Sequence, residues 1–111
     1  MEFERLTLAL LQWPDGMRDF SEAELERSQA GHLAFLDRMR EQGALVMSGP
    51  FADQPDERLR GISLYRTSIE ETKRLLEGDA AIQMGPLEPE VLTWLLPAGA
   101  LPLDGQLRAM K

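Results

Sequence analysis

The chain has no cysteine, which excludes disulfide bonds, thiolate nucleophiles and cysteine-based zinc sites. It also has a single histidine, His32, so a zinc site would depend on that imidazole and on carboxylates. We find no convincing set of metal ligands in the sequence, and we predict neither a metal nor a cofactor. The lack of cysteine is in keeping with a cytosolic protein, and a cytoplasmic location is our expectation.

Long apolar runs and basic runs are missing as well. No apolar stretch approaches the ~20 residues that a membrane-spanning helix needs. Residues 1–5 lack the basic region and apolar core of a secretion signal. Nineteen acidic residues against twelve basic ones give a net charge of −7, which repels phosphate backbones. We therefore expect a soluble, acidic protein that binds neither membranes nor nucleic acids.

With 111 residues, of which 43% are apolar, the chain has room for one globular domain. Alternating apolar residues predict strands, whereas serine-initiated capping boxes followed by apolar residues at three- and four-residue steps predict helices. The predicted strands are residues 4–13, 44–51, 59–67 and 88–96, and the predicted helices are 21–42 and 68–78, with a further helical turn that begins at Asp79. This predicts a domain over residues 1–97 and a C-terminal tail of low order over residues 98–111.

The order strand, helix, strand, strand, helix, strand predicts an α+β fold of the ferredoxin-like type. Such a fold has a four-stranded antiparallel sheet with two helices on one face, and the other face has no helix to cover it. We expect this open face to carry Thr7, Ala9, Leu11, Trp13, Gly61, Ser63 and Tyr65. This set is too apolar for water, which predicts a symmetric homodimer with the two sheets packed face to face. Trp13, Tyr65 and Trp94 are accordingly interpreted as core or dimer contacts.

His32 lies on or beside the apolar face of the first helix, and two interpretations stay open. An imidazole titrates near neutral pH, so His32 is a candidate general acid or base. A helix histidine that is satisfied by a backbone carbonyl is the structural alternative.

The corner Ser48-Gly49-Pro50-Phe51 is a candidate binding wall, because Gly49 would let a ligand approach the backbone closely. A plain strand end explains it equally well. Arg60 is a candidate partner for an anionic substrate, and a structural arginine is the alternative.

Several segments together resemble the YciI-like (YCII-related) proteins. They are Gly31–Leu36, Gln42-Gly43, Ser48–Phe51, Leu59–Gly61 and Glu77–Gly85. The last segment is similar to the family pattern Asp-Pro-x-x-x-x-Gly. The resemblance covers roughly residues 5–97.

This resemblance implies a dimeric α+β barrel, and it implies an active site that pairs His32 with Asp79. The chain departs from the family pattern at Ala80, where proline is usual, which puts the rigidity of that corner in doubt. The implied function is a small cofactorless enzyme whose His–Asp pair performs elimination or hydrolysis on a small polar organic substrate. A non-catalytic dimeric module that binds a small ligand or has a regulatory role is the alternative.

Overall fold

A computed structural model describes residues 1–101, and most of the predicted tail at 98–111 lies outside these residues. The strands are β1 (Phe3–Gln12), β2 (Leu45–Pro50), β3 (Leu59–Tyr65) and β4 (Glu88–Pro97); the helices are α1 (Glu22–Glu41), α2 (Ile69–Leu76) and α3 (Ala80–Met84). The sheet has four strands in the order β2-β3-β1-β4, and every neighbouring pair is antiparallel. This confirms the predicted ferredoxin-like α+β fold.

Helix α1 begins and ends where its sequence signals predict. The Ser21 side chain accepts a hydrogen bond from the Glu24 backbone N–H, and the Glu24 carboxylate accepts one from the Ser21 N–H. A hydrogen bond from Arg18 and the bond from the Ser21 backbone lower the pKa of Glu24 to about 2, so this carboxylate is charged at neutral pH. At the other end Gly43 has φ of 78°, a left-handed conformation that glycine adopts without steric cost.

The prediction of which sheet face lies open was wrong. Ala9 and Tyr65 are completely buried, and they share one core cluster with Phe35 and Met39 of α1. In the strand register Thr7 pairs with Tyr65 and Ala9 with Ser63, so this set faces the helices. Both residue sets of β1 are apolar, and alternation alone therefore separates the two faces without showing which one the helices cover.

The open face carries the other apolar set of the sheet. Leu8 pairs with Leu64 on β3 and with Leu92 on β4, and Leu6 pairs with Trp94. Leu92 is 44% exposed and Trp94 is 43% exposed. No helix within residues 1–101 covers this face. It is exposed at Leu92 and Trp94 on β4, whereas Leu6 and Leu64 on the same face are only 7% and 2% exposed.

None of the helices within residues 1–101 combines the length and the apolar character that crossing a membrane requires.

Candidate functional site

The structure brings His32 and Asp79 into direct contact. His32 Nδ1 lies 2.7 Å from Asp79 Oδ2, a distance typical of a strong, charge-assisted hydrogen bond. The Asp79 side chain is only 1% exposed, whereas that of His32 retains 13% exposure. A buried carboxylate thus holds an imidazole that still reaches the surface.

The close approach of α1 and α3 makes this contact possible. A Cβ atom added at Gly31 would lie closer than 3.0 Å to Cβ of Ala80, so the two backbones can be this near only because residue 31 is glycine. His32 follows Gly31 directly, and Asp79 directly precedes Ala80. The tight crossing therefore brings both candidate side chains to the same point.

The two oxygens of Asp79 have separate partners. Oδ1 accepts a hydrogen bond from the backbone N–H of Ala81 at 3.0 Å and caps α3, while Oδ2 contacts His32. The cap therefore forms although Ala80 stands where the family pattern has proline. This double anchoring orients the carboxylate toward the imidazole.

The arrangement leaves one ring nitrogen of His32 for chemistry. When Nδ1–H donates to the carboxylate, neutral His32 has its lone pair on Nε2 and acts there as a base. After Nε2 takes up a proton, the negative charge of Asp79 stabilises the imidazolium, which can return the proton as an acid. The pair is thus suited to moving a proton in either direction.

Tyr65 is a polar group near this pair that the sequence analysis treated only as a core or dimer contact. Its side chain is fully buried, and its hydroxyl has no hydrogen-bond partner among the described residues. Burial raises the pKa of Tyr65, the Asp79 carboxylate raises it further, and a weak contact with the Ser63 hydroxyl, outside regular hydrogen-bond geometry, lowers it in part. Tyr65 and Ser63 are two residues apart on β3 and share a face, as the spacing predicts, but that face is the one covered by the helices.

The raised pKa of Tyr65 predicts a loss of stability in alkali. Between the pKa of an unfolded tyrosine, near 10, and the higher folded value, the unfolded chain releases the proton and the folded chain keeps it. The free energy of unfolding should therefore fall in this range by up to about 1.4 kcal/mol per pH unit more in the native protein than in Tyr65→Phe. Urea titrations followed by tryptophan fluorescence give this slope for both proteins, and tyrosinate absorbance reports deprotonation of the one tyrosine in the native chain. Equal slopes for both proteins would contradict it.

The remaining predicted site residues lie on β2 and β3. Ser48 pairs with Ser63 across β2 and β3 and so shares the helix-covered face, whereas Gly49 pairs with Ile62 of the open face. Pro50 pairs with Gly61, where an added Cβ would lie 2.6 Å from the Gly49 carbonyl oxygen. Gly61 therefore permits the close passage of this corner.

Arg60 has two partners of its own. Its guanidinium lies 4.1 Å from the centroid of the Trp13 ring and donates a hydrogen bond to the Glu57 carbonyl at 2.9 Å. A cation over an indole is a favourable contact that also holds the arginine in place. The structure therefore places Arg60 in a contact with Trp13 at the end of β1.

A groove of about 410 Å³ lies between α2, α3 and β4. Its lining residues are Lys73, Leu76, Glu77, Ile82, Pro89 and Val91. His32 and Asp79 are not among them, although Leu76 and Ile82 lie three positions before and after Asp79. Within residues 1–101 no group of three or more histidine, aspartate or glutamate side chains is placed to hold a metal ion.

No family model and no curated protein matches the chain. Among solved structures, it is similar to the 5-chloro-2-hydroxyhydroquinone dehydrochlorinase TftG from Burkholderia phenoliruptrix AC1100, in complex with 2,5-dihydroxybenzoquinone. That match has a TM-score of 0.57 and 19% identity, and it covers 80% of this chain and 92% of TftG. The two proteins therefore share a fold.

Two further solved structures are similar to smaller degrees. Protein YJCS matches with a TM-score of 0.49 and 11% identity over 81% of this chain and 96% of that one. A hypothetical protein of Arabidopsis thaliana matches with a TM-score of 0.46 and 13% identity over 92% of this chain and 94% of that one.

Proposed function

We propose that this protein is a small enzyme of the YciI-like family in which His32, oriented by Asp79, transfers a proton on a small polar organic substrate. The observation that carries the proposal is the 2.7 Å contact between His32 Nδ1 and a carboxylate that is 1% exposed. Burial of a charged carboxylate is unfavourable unless it is paired and hydrogen-bonded, and here the His32 imidazole and the Ala81 N–H are its partners. The shared fold with TftG supports an enzyme of this kind.

Elimination is the reaction we favour, since TftG is named as a dehydrochlorinase. In such a step Nε2 of His32 removes a proton from the substrate, the electron pair left behind forms a new double bond, and the leaving group departs as an anion. Asp79 stabilises the imidazolium that results. Hydrolysis would use the same nitrogen to deprotonate a water molecule.

The test uses the substrate after which TftG is named and the compound bound in the TftG structure. Binding of 2,5-dihydroxybenzoquinone is measured by calorimetry, and chloride release from 5-chloro-2-hydroxyhydroquinone is followed in the native protein and in His32→Ala. We expect the substitution to reduce turnover by about 10²–10⁴-fold, the usual contribution of a general acid or base. Gln29→Ala changes an exposed side chain on the same helix and serves as the matched control. Equal turnover in His32→Ala and the native protein would refute the role of His32.

One observation favours a non-catalytic binding module as the second candidate. The groove between α2, α3 and β4 is not lined by His32 or Asp79, so a ligand held there would not meet the imidazole. In that case the native protein would bind the quinone without turning over the chlorinated substrate, and His32→Ala would bind it equally well. The same pair of measurements therefore separates the two functions.

The open face of the sheet supports a homodimer. Leu92 and Trp94 are large apolar side chains that are 44% and 43% exposed, and they adjoin Leu6 and Leu8 in the register. A second copy of this face would cover them in a symmetric contact. The dimer is accordingly part of the proposal.

Charged residues on this face should dissociate the dimer. We expect Leu92→Glu combined with Trp94→Glu to raise the dimer dissociation constant at least 100-fold, because four carboxylates would be desolvated in the contact. Light scattering after gel filtration measures the mass, and circular dichroism confirms that the monomer is folded. Leu95→Glu is the matched control, because Leu95 is 47% exposed but points to the other face of β4. A native protein that is monomeric at tens of micromolar would contradict the prediction.

A further inference from the structure

The Tyr65 hydroxyl is a buried polar group that nothing in the described part of the chain satisfies. Tyr65 is 0% exposed, and its oxygen forms no hydrogen bond within residues 1–101. An unpaired buried hydroxyl is unfavourable, and such groups in folded proteins call for an explanation. The neighbouring hydroxyl of Thr7, by contrast, donates to the Thr67 carbonyl at 2.6 Å. The fold thus gives the Thr7 hydroxyl a regular hydrogen bond and the adjacent Tyr65 hydroxyl only a weak contact with the Ser63 hydroxyl.

The position of Tyr65 relates it to the His32–Asp79 pair. It lies on the helix-covered face of β3 and packs in the same cluster as Phe35, which is one turn after His32 on α1. The charge of Asp79 is near enough to act on the phenol and, with burial, it keeps the hydroxyl protonated. A protonated phenol is a hydrogen-bond donor, and the Tyr65 hydroxyl has no acceptor in regular hydrogen-bond geometry within residues 1–101.

We infer that Tyr65 is a further substrate-binding residue, whose hydroxyl donates a hydrogen bond to an oxygen of a small oxygen-rich ring compound held beside His32. This inference rests on the proposed function. When His32 takes a proton from such a compound, the imidazolium and Asp79 together become neutral, and negative charge develops on the substrate oxygen. A fixed donor at that oxygen binds the charged form more strongly than the neutral one.

The test compares Tyr65→Phe with the native protein, using 2,5-dihydroxybenzoquinone as the probe. We expect the melting temperature of Tyr65→Phe to equal or exceed the native value, because the change removes only an unpartnered hydroxyl. We expect its affinity for the quinone to fall about 10- to 100-fold, as for a lost hydrogen bond to a charged oxygen. Thr7→Val is the matched control: it removes a hydroxyl that has a partner, so it should lower the melting temperature and leave the affinity unchanged.

Three outcomes would overturn the role of Tyr65. They are a fall in melting temperature as large as that of Thr7→Val, an unchanged affinity for the quinone, and no binding of the quinone by the native protein. The proposed function is judged separately, by turnover in His32→Ala. If Tyr65→Phe binds the quinone like the native protein while His32→Ala loses turnover, only the inference on Tyr65 fails. If Tyr65→Phe binds the quinone more weakly while His32→Ala keeps its turnover, only the proposed proton transfer by His32 fails.

Discussion

Replacing Asp79 by asparagine is expected to leave the fold intact and to reduce turnover by about 10²–10⁴-fold. Asparagine caps helices as well as aspartate does, and its carbonyl oxygen can accept from the Ala81 N–H in place of Oδ1. Its NH₂ group then points at His32 Nδ1, the position that Oδ2 occupies in the native protein. Because an NH₂ group only donates, Nδ1 must become the acceptor and the proton moves to Nε2. The imidazole is thereby held in the tautomer that cannot act as a base toward substrate.

This reversal can be measured without a substrate. His32 is the only histidine, so ¹⁵N-labelled protein gives one pair of ring-nitrogen resonances, and their chemical shifts report the tautomer. We expect the Nδ1–H form in the native protein and the Nε2–H form in Asp79→Asn. The same tautomer in both proteins would show that Asp79 does not orient the ring in solution.

Asp79→Ala, compared with Asp79→Asn, separates the effect of Asp79 on the orientation of the His32 ring from its effect on the stability of the fold. Loss of the cap on α3 costs about 1 kcal/mol, and a buried imidazole N–H left without its acceptor costs about 1–3 kcal/mol. The free energy of unfolding from urea titration should therefore fall by about 2–4 kcal/mol in Asp79→Ala and much less in Asp79→Asn. A similar loss in both would mean that the charge of Asp79, rather than its hydrogen bonds, stabilises the fold.

The elements of this fold follow from local signals in the sequence. The capping box at Ser21 and Glu24 and the glycine at position 43 delimit α1, and Asp79 caps α3 as predicted. These signals are local because each satisfies backbone groups within one turn. The covered sheet face could not be predicted in this way, because both residue sets of β1 are apolar and the choice depends on packing across the molecule.

The candidate site also has features that the sequence predicts and features that only the folded structure shows. His32 and Asp79 were paired through a family resemblance, and the contact that joins them depends on how closely α1 and α3 cross. The sequence does not distinguish Tyr65 from a core residue, because a tyrosine on an apolar strand is usually a core residue. Its distinguishing property, a hydroxyl without a partner, exists only in the assembled structure.

Gly31→Ala is expected to break the His32–Asp79 contact. The added Cβ would lie closer than 3.0 Å to Cβ of Ala80, whereas carbon atoms in contact are about 3.5–4.0 Å apart. The helices must therefore separate by roughly 1 Å, which lengthens the 2.7 Å contact beyond the usual limit of a hydrogen bond. Overpacking costs about 1–3 kcal/mol, of which the better helix propensity of alanine recovers up to about 1 kcal/mol.

A second change, Ala80→Gly, tests whether the effect of Gly31→Ala comes from the close contact between α1 and α3. Gly31→Ala with Ala80→Gly moves the methyl group from one helix to the other and removes the overlap between them. We expect the single variant to lose the Nδ1–H tautomer and most of the turnover, and the double variant to regain both. Urea titration should show a negative coupling between the two changes, since the overlap exists only when both residues carry a Cβ. If Gly31→Ala alone kept the native tautomer and turnover, helix separation would not control the His32–Asp79 pair.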